Sequence, residues 1–296
     1  MNYSKYLHIL SCYFKGNRII ANYTDVKAKK NRVNLWELDL QRHYGSLMYG
    51  HYNLGDYLAR VVVEFMLQKR GLSLDSHVKG IKHLNSIGSN LLLSFQDATV
   101  WGSGIERRDP AYKRINLLHS RPFRKLDVRA VRGPLTRDFL MELGHFTPPI
   151  YGDPAILMPM IYNPKVEKQF DFMIIPQYYT ESDIRNGEYD KLLISMMTSD
   201  YMSVINKIKS CKKIISSSLH GIILAESYGV PAVFFRGLNK SIDFKYKDYY
   251  YSTNRFDFPI ANSIEEALDT PCPDIPVLEN LQKGLINNFP YDLWEQ

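Results

Sequence analysis

The chain has 296 residues, of which 45% are hydrophobic and 23% charged, and its formal net charge is +6 at pH 7. A chain of this length buries about three-quarters of its surface on folding, and its length favours two domains. The composition excludes disordered, collagen-like and repeat proteins. Three cysteines lie far apart without a CxxC pair, which excludes a disulfide framework and a zinc site of the usual spacing and indicates a reducing compartment.

The positive charge favours anionic partners, yet the basic residues are dispersed along the chain. The densest group, Lys27–Arg32, is more typical of a solvated loop than of a nucleic-acid surface, so we expect no nucleic-acid partner. No window approaches the ~18 apolar residues of a membrane span, and the apolar stretch near the N terminus is too short for an export signal. We therefore expect a cytoplasmic protein.

In chain order, residues 1 to about 40 predict only one or two short strands. A turn at Asn53–Asp56 then leads into a helix that ends at Lys69-Arg70-Gly71, because apolar residues recur at helical spacing between them. Short apolar runs follow at 91–93 and 99–101. The second run is typical of a buried strand that enters a ligand-facing turn at Gly102-Ser103-Gly104.

A strand ending near Val131 precedes a helix with Pro134 in its first turn and Gly144 after its end. The polar stretch Asn163–Gln169 predicts a linker and a domain boundary. Beyond it, the sequence predicts strands at Phe172–Ile175, Lys213–Ser216 and Ala232–Phe235, and helices at Tyr201–Lys209 and Leu219–Tyr228. Strands that alternate with helices at this spacing predict parallel sheets in both halves of the chain.

The most informative segment carries three serines, Ser216 to Ser218, between a strand and the helix that begins at Leu219-His220-Gly221. The unpaired N–H groups of that helix, its dipole and the serine hydroxyls would face the carboxyl edge of the sheet, which predicts an anion site. The alternative is structural, because serine is a common helix cap and a lone histidine in a first turn is often packed or solvated.

The ordered set of these motifs resembles the polysaccharide pyruvyl transferase family. The resemblance runs from about Tyr49 to Tyr251 and is carried by Asn53–Asp56, Trp101–Gly104, Val131–Thr136, Tyr151–Ala155, Ser216–Gly221 and Gly229–Pro231. It implies an α/β protein of two Rossmann-like domains with parallel sheets, in an architecture similar to GT-B glycosyltransferases with an interdomain cleft. It also implies transfer of pyruvate from phosphoenolpyruvate to a sugar as a ketal, on a bacterial surface polysaccharide or its lipid-linked precursor.

We place an acceptor-side domain at residues 1–162 and a donor-side domain at 163–296, with the C-terminal helix packing back on the first. The lipid-linked acceptor implies work at the inner face of the membrane, with peripheral association. Phosphoenolpyruvate is then a co-substrate, and neither a separate cofactor nor a metal is expected, since no cluster of carboxylates or histidines suggests one.

The chain departs from the family pattern at one position. The family often has Ser-x-Arg-Leu-His-Gly, whereas this chain has Ser218 where the arginine is expected to clamp the donor. We therefore expect Lys245 or Arg236 to supply the missing cation.

Ketal formation needs an acid, a base and an anion cradle. His220 is the candidate acid or phosphate partner, and Arg132 would present a planar fork to a carboxylate or phosphate, unless it forms a structural ion pair. Asp56 and Asp153 are candidates for the base or, equally, for loop caps. The predicted catalytic residues are His220, Arg132 and Asp153, and the predicted substrate-binding residues are Asn53, Gly55, Asp56, Gly102, Ser103, Ser216, Ser217, Ser218, Leu219, Gly221, Arg236 and Lys245.

Three other functions remain open at this point. A glycosyltransferase that uses a nucleotide-sugar donor would share the two-sheet architecture, because a fold does not determine a function. A non-catalytic protein that binds glycan or organises an assembly complex is the second, and nucleic-acid binding, supported by net charge alone, is the third. The acceptor sugar, the ketal position and its stereochemistry, and the oligomeric state are not determined by the sequence.

Overall fold

The computed structural model describes residues 28–36, 52–93, 95–108, 119–178, 180–185, 187–236 and 243–295. Of the N-terminal stretch, for which one or two short strands are predicted, the structure describes residues 28–36, and these contain one short strand. Lys27 and the rest of the first 40 residues lie outside the described part of the chain. Within them the protein is a mixed α/β structure with two four-stranded sheets, and every strand pair in both sheets is parallel. This confirms the parallel sheets predicted from the alternation of strands and helices.

The strands of the first sheet lie side by side in chain order. They are β1 (Arg32–Leu35), β2 (Ile81–Asn85), β3 (Ala98–Trp101) and β4 (Leu126–Ala130). Helix α1 (Leu54–Gln68) connects β1 to β2, and α2 (Pro134–Glu142) follows β4 with its proline in the first turn, as predicted. The apolar run at 91–93 forms a turn, in which the N–H of Leu93 donates to the carbonyl of Asn90.

The second sheet also follows chain order, and its strands are β5 (Phe170–Ile175), β6 (Cys211–Ser216), β7 (Ala232–Phe235) and β8 (Ile260–Ala261). Its helices are α3 (Glu181–Ile184), α4 (Tyr201–Lys209), α5 (Leu219–Ser227), α6 (Asp243–Ser252), α7 (Ile264–Asp269) and α8 (Glu279–Asn287). None of the helices in the described ranges is long and apolar enough to cross a membrane.

A 3₁₀ helix at Pro154–Met160 lies between the two sheets and packs against α1 and α5. Its buried apolar residues join those of both helices in one continuous hydrophobic cluster, which includes Leu58, Val62, Ile156, Leu157, Ile222 and Ile223, all fully buried. Burial of apolar surface is the main stabilising contribution to folding. The core therefore holds the N-terminal ends of α1 and α5 close together.

Residues 162–169 contain no helix or strand and connect the two sheets, where the sequence predicts a linker. The domain boundary placed there stays a prediction. Helix α8 and the segment after it contact the first half of the chain. The indole N–H of Trp101 donates to the carbonyl of Leu285 over 2.9 Å, and the hydroxyl of Tyr291 donates to the carbonyl of Met66 over 2.9 Å.

Candidate functional site

The N terminus of α1 is capped locally. The Asn53 side chain accepts from the N–H of Gly55 over 3.2 Å and donates to the Asp56 carboxylate over 3.0 Å. Asparagine is a preferred N-cap because its oxygen satisfies one of the unpaired N–H groups of the first turn. The cap therefore fixes the Asp56 carboxylate beside the positive end of the helix.

The N terminus of α5 uses its three serines differently. The Ser216 hydroxyl lies 2.9 Å from the carbonyl of Ile175 and accepts from the N–H of Ser218 over 3.0 Å, and the Ser217 hydroxyl accepts from the N–H of Gln177 over 3.0 Å. Ser218 is the N-cap residue, yet its side chain forms no capping hydrogen bond. Two predicted substrate-binding serines thus hold the turn together, and Ser218 is the serine whose side chain remains for a ligand.

His220 lies where the two helix N termini approach each other. Its Nε2 is 3.5 Å from Oδ2 of Asp153, and the two side chains are 12% and 0% exposed. The other oxygen of Asp153 accepts from the N–H of Ala155 over 3.0 Å and caps the 3₁₀ helix. A Cβ atom at Gly55 would lie 2.0 Å from Nδ1 of His220, so only glycine permits this approach of α1 to α5. Asp153 is therefore placed to orient the imidazole.

A cavity of about 150 Å³ opens in front of these two helix termini. Six of the predicted residues are among its lining residues. The lining residues are Trp36, Asn53, Asp56, Ser89, Leu93, Glu106, Gln177, Tyr178, Met196, Ser218, Leu219, His220 and Lys245. Because the carboxyl ends of parallel strands meet at one edge, residues following β1, β3, β5 and β6 all reach it.

Lys245 reaches the cavity from α6 and is the single lysine or arginine among its described lining residues. Its Nζ lies 3.5 Å from Oε1 of Glu106, and its side chain is 13% exposed. Burial lowers the pKa of Lys245, while Glu106 opposes that shift. An ammonium that is partly desolvated in this way interacts strongly with an incoming anion.

The carboxyl group of Asp56 is also buried in the cavity. Burial raises its pKa to about 6, against the opposing effects of His220 and Lys245 and with smaller contributions from Asp153 and Glu106. A carboxyl that titrates near neutral pH in a cavity is a candidate acid or base.

Arg132 does not line the cavity. Its side chain is fully buried and each guanidinium nitrogen has a partner: Nε donates to Asp248 over 3.2 Å, Nη1 to Ser89 over 2.8 Å and Nη2 to the carbonyl of Ile105 over 2.6 Å. A fully buried guanidinium whose three nitrogens each donate to the protein is placed to hold the fold rather than a ligand. Its predicted catalytic role stays a prediction, and the geometry supports the structural alternative.

The remaining predicted residues lie behind the cavity or away from it. The Ser103 hydroxyl lies 2.7 Å from Oδ1 of Asn90, and a Cβ at Gly102 would collide with Pro154 at 2.3 Å. A Cβ at Gly221 would lie 2.4 Å from the Ser216 hydroxyl, so this glycine permits helix packing. Arg236 pairs with Asp243 over 2.8 Å and is not among the lining residues. Of the two candidate cations, Lys245 is the one in the cavity.

Several lining residues were not singled out from the sequence. Glu106 follows the Gly102-Ser103-Gly104 turn closely, and that position was the available signal. Trp36, Gln177 and Tyr178 gave no local signal, since their place depends on how the strands pair. The indole nitrogen of Trp36 is buried and has no hydrogen-bond partner among the residues that the structure describes. In those same residues, no group of three or more His, Cys, Asp or Glu side chains is arranged to hold a metal.

Comparison with known proteins places this site in a family. The profile of the polysaccharide pyruvyl transferase family matches residues 53–238, which is more than half of the chain and includes most of the described cavity residues. The chain is also similar to an uncharacterised protein of Acanthamoeba polyphaga mimivirus, with 27% identity over 233 residues that cover 72% of this chain and 76% of that protein. The matched segment carries both helix N termini and His220. The chain therefore belongs to the polysaccharide pyruvyl transferase family.

Proposed function

We propose that this protein transfers the pyruvyl group of phosphoenolpyruvate to two hydroxyl groups of a sugar, forming a pyruvate ketal and releasing phosphate. The acceptor is a sugar of a bacterial surface polysaccharide or of its lipid-linked precursor, met at the inner face of the membrane. One observation carries the proposal: the N termini of α1 and α5, Lys245 and His220 all meet in one cavity.

The charges in the cavity support an anionic donor. Each helix N terminus has a partial positive charge of about half an elementary charge, which attracts phosphate and carboxylate. In α1 the N–H groups of Leu54 and Gly55 already donate to Met196 and Asn53, so that terminus contributes its dipole. Lys245 adds a full positive charge to the cavity that Ser218 also lines. It thereby supplies the cation that the family pattern often supplies with an arginine at that position.

His220 is the proposed general acid. Asp153 faces its Nε2 from a fully buried position, which orients the ring and leaves Nδ1 as the nitrogen that exchanges a proton. Protonation of the methylene carbon of phosphoenolpyruvate by this imidazolium creates a positively charged centre at the adjacent carbon. That centre is then open to attack by a sugar hydroxyl.

Asp56 is the proposed base for the first hydroxyl. Its carboxylate takes the proton as the hydroxyl oxygen bonds to the electrophilic carbon. The bond from that carbon to the phosphate oxygen then breaks, the protonated Asp56 carboxyl returns its proton to the departing phosphate, and the second hydroxyl bonds to the carbon. Neutral His220 takes the second hydroxyl proton and is restored as the imidazolium, so that protons and charges balance.

The acceptor would lie against Trp36 and Tyr178, which offer aromatic surface in the cavity. The two sheets would correspond to two Rossmann-like domains in a GT-B-like arrangement, with residues 1–162 on the acceptor side and 163–296 on the donor side. Phosphoenolpyruvate is in this account a co-substrate, and no metal takes part.

The volume of the cavity favours this donor over a nucleotide sugar. Sites for drug-sized ligands occupy about 300–1,000 Å³, whereas this cavity has about 150 Å³. A three-carbon phosphate ester is the smaller of the two donors. The glycosyltransferase alternative therefore has less support from the geometry.

The test is a transfer assay in the presence of a chelator. Phosphoenolpyruvate is incubated with a panel of sugars and lipid-linked sugars that carry paired free hydroxyls, and both phosphate release and the mass of the sugar product are followed. We expect phosphate release that depends on the sugar and a product that carries the pyruvate ketal. Transfer from a nucleotide sugar instead would reject the proposal in favour of a glycosyltransferase.

A further inference from the structure

Helix α6 carries two buried charged residues that face different parts of the molecule. Lys245 lines the cavity, and Asp248, three residues later, is fully buried outside it. Residues three apart lie on neighbouring positions of one helix face. Contacts that fix the Asp248 carboxylate therefore also fix the backbone position from which the Lys245 side chain extends.

Asp248 is held by the first half of the chain at the start of α2. Its Oδ1 accepts from the N–H of Thr136 over 3.0 Å, and its Oδ2 accepts from the Thr136 hydroxyl over 2.6 Å and from Nε of Arg132 over 3.2 Å. The N-cap residue of α2 is Gly133, which has no side chain to cap the helix. Asp248 thus supplies the N-cap of α2 from another helix, in a role that a local side chain usually fills.

The contact is close at the backbone as well. A Cβ atom at Gly133 would lie 1.9 Å from the carbonyl oxygen of Asp248. The sequence Arg132-Gly133-Pro134-Leu135-Thr136 therefore forms a socket for Asp248, made of an ion-pair partner, a position without a side chain and a hydroxyl. The socket gives a structural role to a motif whose arginine was predicted to be catalytic.

The other hydrogen bonds of Arg132 lead to residues that surround Lys245 in the cavity. Nη2 of Arg132 donates to the carbonyl of Ile105, and the next residue, Glu106, is the ion-pair partner of Lys245 at 3.5 Å. Nη1 of Arg132 donates to Ser89, another lining residue. On the second half of the chain, the Tyr246 hydroxyl accepts from Nε2 of Gln177 over 2.7 Å. Hydrogen bonds thus hold Ile105, which precedes the ion-pair partner of Lys245, and Tyr246, which follows Lys245 in α6.

We infer that Asp248 is a positioning residue that, through its socket at the start of α2, sets the place of the Lys245 ammonium in the cavity and so the affinity for the anionic donor. The inference rests on the proposed function for the identity of that donor. The residues around Arg132 would then affect donor binding without contacting the donor.

The test compares three variants for phosphoenolpyruvate binding by calorimetry and for steady-state kinetics. Asp248→Asn keeps the shape of the side chain and removes its charge, Lys245→Met removes the cation, and the third variant combines both. We expect Asp248→Asn to raise the KM for phosphoenolpyruvate about ten-fold with a smaller change in kcat, about 1.4 kcal/mol of binding. In the Lys245→Met background the same change should add little, because coupled residues are not additive.

Glu226→Gln is the matched control. Glu226 forms another buried ion pair, with Arg255 at 2.6 Å, and neither residue lines the cavity. The Glu226→Gln variant should have a lower melting temperature and an unchanged KM for phosphoenolpyruvate. Should Asp248→Asn fail to fold, Thr136→Val removes one hydrogen bond to Asp248 and should shift the KM in the same direction by less.

A readout that does not involve the donor separates this inference from the proposed function. The rate at which acetic anhydride labels Lys245, followed by peptide mass spectrometry, should rise several-fold in Asp248→Asn and stay at the wild-type value in Glu226→Gln. Unchanged labelling together with unchanged donor binding in Asp248→Asn would overturn the inference, as would an effect fully additive with Lys245→Met. Raised labelling in a protein that does not bind phosphoenolpyruvate would reject the proposed function alone.

Discussion

The imidazole of His220 contacts two groups from the first half of the chain, although it belongs to a helix of the second. Asp153 faces its Nε2 at 3.5 Å, and the absence of a side chain at Gly55 leaves room for Nδ1. Neither contact is with a neighbour in sequence. The site at this scale is therefore assembled by packing of α1, the 3₁₀ helix and α5.

Replacing His220 by alanine tests its role as the acid. We expect His220→Ala to lower turnover by about 10² to 10⁴, the usual effect of losing a general acid or base, with little change in melting temperature. His83→Ala is a suitable control, because His83 is half-buried in β2 and does not line the cavity. A stable, fully active His220→Ala protein, measured for both quantities on one preparation, would end the mechanistic assignment and leave the fold untouched.

Replacing Asp56 by asparagine tests the role of its raised pKa in stability. The folded pKa of about 6 lies above the ordinary value of 3.8, so the protonated carboxyl contributes stability that is lost as pH rises from about 4 to 6. We expect Asp56→Asn to be more stable than wild type by up to about 2 to 3 kcal/mol at pH 8. The difference should shrink as pH falls through 6 toward 4, in denaturant unfolding at several pH values.

The raised pKa of Asp56 also predicts how kcat/KM depends on pH on the acidic side. A base must be ionised, so kcat/KM should rise with pH through about 6 in wild type and lose that limb, with most of the activity, in Asp56→Asn. A stability difference independent of pH, or an unchanged profile, would show that Asp56 is only a helix cap.

At the scale of elements, a lysine of α6 lines the same cavity as the α5 position at which an arginine is expected. Ser218 at the start of α5 replaces the arginine that the family pattern often has, and α6 brings Lys245 into the same cavity. The two residues are distant in sequence and share one space. Under the proposed function, the cation that binds the donor would come from α6 instead of α5.

Removing Lys245 tests this exchange. Lys245→Met should raise the KM for phosphoenolpyruvate by ten-fold to more than a hundred-fold, since a lost charge-assisted contact is worth about 1.5 to 3 kcal/mol. Lys247→Met is the matched control, an exposed lysine of the same helix. Arg236→Met should also bind the donor almost normally. Normal binding by Lys245→Met would mean that the cation lies elsewhere.

Restoring the arginine completes the argument. We expect Ser218→Arg in the Lys245→Met background to recover most of the lost affinity for phosphoenolpyruvate, because a guanidinium at that position reaches the same cavity and offers a planar fork. Calorimetry on the double variant measures it. No recovery, in a protein that is still folded, would contradict the view that the two positions serve one anion.

For the molecule as a whole, elements with strong local signals were predictable and the others were not. The helices at α1, α4 and α5 and strands such as β6 and β7 carry apolar periodicity or continuous apolar runs, as buried parallel strands do. By contrast, β2 alternates poorly, and α6 buries tyrosines and Asp248 rather than an apolar stripe. Neither element has the periodicity on which prediction depends.

The residues of the candidate site likewise fall into those with a local signal in the sequence and those without one. Helix caps and turns such as Asn53 and Ser218 are local features that the sequence makes visible, and both residues line the cavity. The partners of Arg132, and the places of Trp36 and Gln177, depend on how the strands pair and on where α6 packs. Such contacts between distant segments leave no pattern in a single sequence.

The most direct test of the central claim is calorimetric titration of the purified protein with phosphoenolpyruvate in the presence of a chelator, set beside titrations with nucleotide sugars and with inorganic phosphate. The account predicts saturable binding of phosphoenolpyruvate that is weakened by Lys245→Met and not by Lys247→Met. Binding of nucleotide sugars without binding of phosphoenolpyruvate would contradict it.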